Sequence, residues 1–79
     1  MKKNDAKSKR ILKRLGENVY YFRRKINITQ EKLAEQIDAE RSYIAAIEKG
    51  NKSPSIYFLY ELSEALNISL KDLMDIKVN

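Results

Sequence analysis

Seventy-nine residues, 43% hydrophobic and 34% charged, supply one small core and cannot divide into two. The lack of Cys and His removes disulfides, thiolate nucleophiles, cysteine-type zinc sites and the commonest general base near neutral pH. No apolar run approaches the roughly 18 residues of a membrane span, and Met1-Lys2-Lys3 leads into polar sequence. The expectation is a soluble, cytoplasmic, non-enzymatic protein without cofactor, metal or membrane partner.

The net charge of +5 is uneven. Residues 1–14 carry seven bases (Lys2, Lys3, Lys7, Lys9, Arg10, Lys13, Arg14) against Asp5, whereas residues 54–79 carry two bases against four acids. Residues 1–10 therefore read as a basic, flexible arm that attracts polyanions, or as a tail that only solubilises, and residues 11–79 read as the folded domain. A basic helix start opposes the helix dipole, so order is expected to begin near Ser8, a possible N-cap.

Two glycines and one proline leave helices as the simplest fold. Leu12, Leu15, Val19, Phe22 and Ile26 recur in steps of three and four and define the apolar face of a first helix, which Asn27 interrupts. Thr29 can cap a second helix over Gln30 to Ile37, with Leu33, Ala34 and Ile37 facing inward. Asp38-Ala39-Glu40 is a three-residue break. Residues 41–49 form a third helix on Tyr43, Ile44 and Ile47, closed by Gly50 in a left-handed conformation. Asn51-Lys52-Ser53-Pro54 is a loop. Ser55 caps a fourth helix with Ile56, Leu59, Leu62, Ala65 and Leu66 on its stripe, and Ser69 opens a fifth through Leu70, Leu73, Met74 and Ile76. No segment alternates with period two, so the fold class is all-α, a five-helix bundle.

Two short helices joined by three residues have helix-turn-helix spacing. The pattern T-Q-x-x-L-A-x-x-I from Thr29, Y-I-x-x-I-E-x-G from Tyr43, P-S at Pro54 and L-x-x-L-x-x-A-L from Leu59 resembles the phage-repressor/Cro-type (XRE) DNA-binding family, with a lambda-repressor-like domain. The stretch from Arg41 to Gly50 is most similar to restriction–modification controller proteins. Where that family commonly has Gly, this chain has Asp38, which predicts a somewhat strained turn.

The resemblance implies that the third helix enters the major groove of double-stranded DNA. Arg41, Ser42, Tyr43, Ala45 and Ala46 are then the base-reading candidates. A guanidinium at Arg41 can grip guanine O6 and N7, or it can touch a phosphate or pair with Glu40. Short methyls at Ala45 and Ala46 permit close approach, leaving much of the selectivity to DNA shape. Gln30, Lys49, Asn51, Lys52 and Ser53 are the phosphate-binding candidates, which position the protein without reading sequence.

Arg23 and Glu48 occupy the positions of a family ion pair that ties the first helix to the third. On that reading, Glu48→Ala weakens DNA binding only by destabilising the fold. Leu70, Leu73, Met74, Ile76 and Val78 exceed what one side of a terminal helix needs to bury. They are expected to form a homodimer interface, which Tyr57, Phe58 and Tyr60 can join, or else to complete the monomer core; a mixed reading keeps Leu73 in the core and gives Met74, Ile76 and Val78 to the partner.

The function expected is a sequence-specific transcriptional regulator, homodimeric on paired half-sites. The controller resemblance implies that it activates and represses its own operon, with RNA polymerase as a further partner. A phage or plasmid repressor, an antitoxin, and a protein-interaction module that does not read DNA are the alternatives.

Overall fold

A computed structural model describes residues 5–76 of the chain. Among these residues the elements are all helical: α1 (Asp5–Lys25), α2 (Gln30–Gln36), α3 (Arg41–Glu48), α4 (Ile56–Ala65) and α5 (Leu70–Leu73). α3 lies between α1 and α2, and α4 packs on α5. Contacts of α1 with α5 and of α2 with α4 close the bundle. Leu15, Val19, Leu33, Ala34, Ile44, Ile47, Leu59, Leu62, Leu66 and Leu73 form the buried core. Ala34 keeps α2 and α3 close, since a longer side chain there would force them apart.

Three hydroxyls start helices. Thr29 Oγ1 accepts from Lys32 N (3.0 Å), Ser55 Oγ from Phe58 N (3.1 Å) and Ser69 Oγ from Asp72 N (3.0 Å). Each satisfies a donor that the helix itself leaves without a partner. Glu40, before α3, makes no such bond.

Four helices end alike. Asn27 (φ 59°), Asp38 (φ 55°), Gly50 (φ 79°) and Asn67 (φ 62°) are left-handed and follow α1, α2, α3 and α4 respectively. At each, the next residue's N–H reaches back five residues: Ile28 to Arg23 O, Ala39 to Ala34 O, Asn51 to Ala46 O and Ile68 to Ser63 O. The left-handed residue's own N–H reaches back three, which completes a Schellman turn. Asn and Asp take this conformation at lower cost than other side chains, so three turns form without glycine.

Three expectations are corrected. Residues 5–10 belong to α1 and not to a flexible arm, because propagating an established helix is cheap and Asp5 in the first turn favours the dipole. α5 is a single turn that stops at Leu73 instead of running through Ile76. Asn18 Nδ2 donates to Leu73 O (3.0 Å) and Asp75 O (3.2 Å), so α1 takes up the carbonyls at the end of α5. Leu73 is fully buried in the core and cannot serve a partner surface. Met74 is exposed, Leu70 and Ile76 are half-buried, and Val78 lies outside the described residues.

Candidate functional site

The outward face of α3 carries Ser42 and Lys49, exposed, with Ala45 and Ala46 half-buried beside them. Asn51, Lys52 and Ser53 follow as an exposed loop. Ser42, Tyr43 and Ala46 line an open concavity of about 690 Å³ with Ala39, Glu40 and Lys52. Small side chains on α3 and cationic or hydroxyl groups around them make a surface that admits a polyanion closely. Tyr43 sits deeper than the others. Its ring stands edge-on to Phe58, with centroids 5.0 Å apart, so packing fixes its orientation.

Behind this face runs a chain of polar groups that spans three helices. Arg23, from α1, donates from Nε to Glu48 Oε2 (2.7 Å) and from Nη2 to Glu48 Oε1 (3.1 Å). Both side chains are nearly buried, at 9% and 6% exposure. A third donation, Arg23 Nη1 to Ile28 O (2.9 Å), ties the guanidinium to the loop before α2. The carboxylate of Glu48 also accepts from Gln30 Nε2 (2.9 Å), and Gln30 Oε1 accepts from Arg41 Nη1 (3.0 Å). Reversing the Gln30 amide would set donor against donor at Arg41 and acceptor against acceptor at Glu48, so its orientation is dictated.

The family resemblance brought Arg23 and Glu48 together but did not connect Gln30 to either Glu48 or Arg41. Arg41 turns to Gln30 and makes no ion pair with Glu40 among the described residues. Gln30, considered above only as a phosphate contact, uses its carbonyl and one amide hydrogen within the chain and keeps the second hydrogen. Glu48 thus reaches Arg41 through Gln30, a role that the expectation of a purely structural pair omitted.

Gly16 was also missed. A Cβ on this residue would collide with Ile47 O and stand 2.6 Å from Glu48 O. Only a bare α-carbon lets α1 lie against the last carbonyls of α3. At the other side, a Cβ on Gly50 would stand 2.9 Å from Lys13 Cα. α3 is therefore seated on α1 along its C-terminal end. The signal for Gly16 was its place within the apolar face between Leu12 and Val19, where a helix interior ordinarily avoids glycine.

Comparisons with known proteins bear on this arrangement. The family model described as "Helix-turn-helix domain" matches residues 16–77. The chain is 41% identical over 61 residues to the control protein C.BamHI of Bacillus amyloliquefaciens, covering 76% of this chain and 75% of that one. It is 36% identical over 61 residues to the control protein C.MunI of a Mycoplasma species, covering 76% and 82%. Its fold matches the crystal structure of the restriction-modification controller protein C.AhdI from Aeromonas hydrophila with a TM-score of 0.76 at 29% identity, covering 78% of this chain and 94% of that one. The clp gene regulator ClgR from C. glutamicum matches with a TM-score of 0.79 at 28% identity, covering 81% and 82%. With its two short helices joined through Asp38 and the family match spanning both, the chain belongs to the helix-turn-helix domain family.

Proposed function

We propose that this chain is a sequence-specific DNA-binding transcriptional regulator that acts as a homodimer and, like the controller proteins it resembles, governs its own operon. One observation carries the reading. Arg41, at the first turn of α3, is presented by a hydrogen-bonded relay anchored in a nearly buried ion pair, next to a row of short side chains on an open face. That relay holds a bidentate donor in one orientation, which direct reading of a guanine edge requires.

In this reading Arg41 and Ser42 read bases, with Tyr43 at the margin and Ala45 and Ala46 against thymine methyls or groove walls. Lys49, Asn51, Lys52, Ser53 and the second amide hydrogen of Gln30 hold phosphates. Two copies engage half-sites about 34–36 Å apart. The partner surface combines exposed Met74 and half-buried Leu70 and Ile76 with the exposed Tyr57 and Tyr60 of neighbouring α4. RNA polymerase is the further partner of an activating occupancy.

Duplexes selected by the protein from a random pool supply the test. The selected duplex is expected to bind roughly 10³-fold or more tightly than a scrambled one. Arg41→Ala with Ser42→Ala is expected to collapse that ratio while leaving the scrambled affinity within a few-fold of its starting value. An unchanged ratio overturns the reading.

A further inference from the structure

We propose that the first turns of α1 form a second phosphate-binding rail, in which Lys9 and Lys13 continue the phosphate surface of Asn51, Lys52 and Ser53 along the same duplex. The inference rests on the function proposed above and adds to it a site outside the helix-turn-helix.

The observations are of placement and charge. Residues 5–14 hold five bases against Asp5 and are helical throughout. Lys7, Lys9, Arg10 and Lys13 are exposed and make no ion pair among the described residues, whereas Arg14 pairs with Glu17 at 3.6 Å. This end of α1 lies beside the loop after α3. Asp5, Ser8, Ile11 and Leu12 line a cavity of about 350 Å³ together with Ser53. The backbone of Lys13 borders Gly50, whose Cβ position is 2.9 Å from Lys13 Cα and 3.1 Å from Lys13 N.

Helical spacing then sorts the bases. Lys9 and Lys13, four residues apart, share the side of α1 next to Gly50, whereas Lys7 and Lys25, eighteen residues apart and thus in register, share the far side. The rise between Lys9 and Lys13 is about 6 Å. That is comparable with the axial advance of two steps, about 3.4 Å each, along one strand of a duplex. A crowd of like charges near a helix start, opposed by the dipole, is an unfavourable arrangement in the free protein. Phosphates from a duplex seated on Lys52 would neutralise it. The rail is rigid, so it meets the backbone flanking the half-site and carries no sequence preference of its own.

The test compares two double variants of equal charge, Lys9→Ala with Lys13→Ala and Lys7→Ala with Lys25→Ala, in the full chain. Each is titrated with salt against the selected duplex and against a scrambled one. Each phosphate contact contributes about 0.9 to the slope of log K on log salt. Loss of Lys9 and Lys13 is therefore expected to flatten the slope by roughly 1.8, on both duplexes, with the ratio between duplexes unchanged. Loss of Lys7 and Lys25 is expected to move the slope by less than about 0.5, the residue of long-range attraction. Thermal melts of both variants confirm that the comparison is between folded proteins.

Equal slopes for the two double variants overturn the rail and leave base reading by α3 standing. A wild-type protein without preference between duplexes overturns the base-reading function instead, and a difference in slope between the variants then still supports the rail.

Discussion

Replacing Glu48 by alanine removes the carboxylate on which donors from α1 and α2 converge. Arg23 would lose its bonds of 2.7 and 3.1 Å and keep Ile28 O as its partner, while Gln30 would lose its acceptor at 2.9 Å. Because the Arg23 side chain is 9% exposed, water cannot freely replace the lost carboxylate. Breaking one side of a buried pair costs about 3–5 kcal/mol. A domain of this length has roughly 4–12 kcal/mol of total stability, so the loss is a large fraction of the whole. At about 4–8 °C per kcal/mol for domains of this size, Tm should fall by at least about 12 °C. Urea denaturation at constant m, followed by circular dichroism, measures the same quantity isothermally. Arg23→Met with Glu48→Met leaves no unpaired charge and should recover most of the loss, which separates the cost of an orphaned charge from the worth of the pair. A Glu48→Ala protein melting within about 2 °C of wild type, a shift of well under 1 kcal/mol, would refute the argument. Well below its Tm, that variant should still discriminate less between duplexes, because Gln30 no longer fixes Arg41.

Other expectations follow from single contacts. Gly16→Ala gains about 1 kcal/mol of helix propensity, but the new methyl meets backbone carbonyls that cannot rotate away. Overpacking of about 1–3 kcal/mol should outweigh the gain, so calorimetry should find a lower Tm; a higher one refutes the close approach of α1 to α3. The Tyr60 phenol donates to Glu64 Oε2 at 2.9 Å, and this bond with the nearby carboxylate charge holds its pKa above the ordinary 10.0. A raised folded pKa means that any stabilisation is present below the unfolded pKa and lost as pH climbs through the folded one. Ultraviolet titration of Glu64→Gln should therefore show Tyr60 ionising earlier than in wild type, with a smaller change at Tyr57, and an unchanged curve contradicts the assignment. On the proposed dimer, wild type is expected to sediment at twice 9.3 kDa and Met74→Asp as a monomer near that mass; a persistent dimer moves the partner surface elsewhere.

What the sequence made legible was what local chemistry decides. Thr29, Ser55 and Ser69 announced helix starts because a hydroxyl before an apolar period has one good use, and Gly50 announced an end for the corresponding reason. Hydrophobic spacing placed Leu15, Val19, Leu33, Ile44, Ile47, Leu59, Leu62 and Leu66 inward, where all are buried. The remainder depended on residues distant in sequence. Asn18 ends α5 across a separation of 55 residues, and no local pattern in Leu70 to Ile76 signals that capture. Leu73 looked available to a partner because its periodicity alone cannot say whether α1 already covers it. At the start of α1 the basic first turns oppose the dipole, but growth of the helix from its packed half outweighs them, and that packing is not visible in the local sequence. For the candidate site, the outward set on α3 followed from Ile44 and Ile47 facing inward, but Gln30 gave no hint that it bridges Glu48 and Arg41.

The seating of α3 follows a physical requirement of its own side chains. Ser42, Ala45 and Ala46 are short, so on the proposed reading a duplex on this face must come close to the helix backbone, and a small tilt would break contact across the whole row. A long, flexible side chain can absorb such a tilt; a methyl cannot. An eight-residue helix has little intrinsic stability with which to resist it. The surroundings supply the resistance at both ends. At the first turn Arg41 is tied to Gln30, and at the last turn Glu48 is tied to Arg23 while its carbonyl lies against Gly16. Gly50 and Lys13 close the same end, and Asp38 fixes the angle of entry with a left-handed turn. The relay is therefore the counterpart of the small side chains: the less each residue of α3 can reach, the more its position has to be set by the helices behind it.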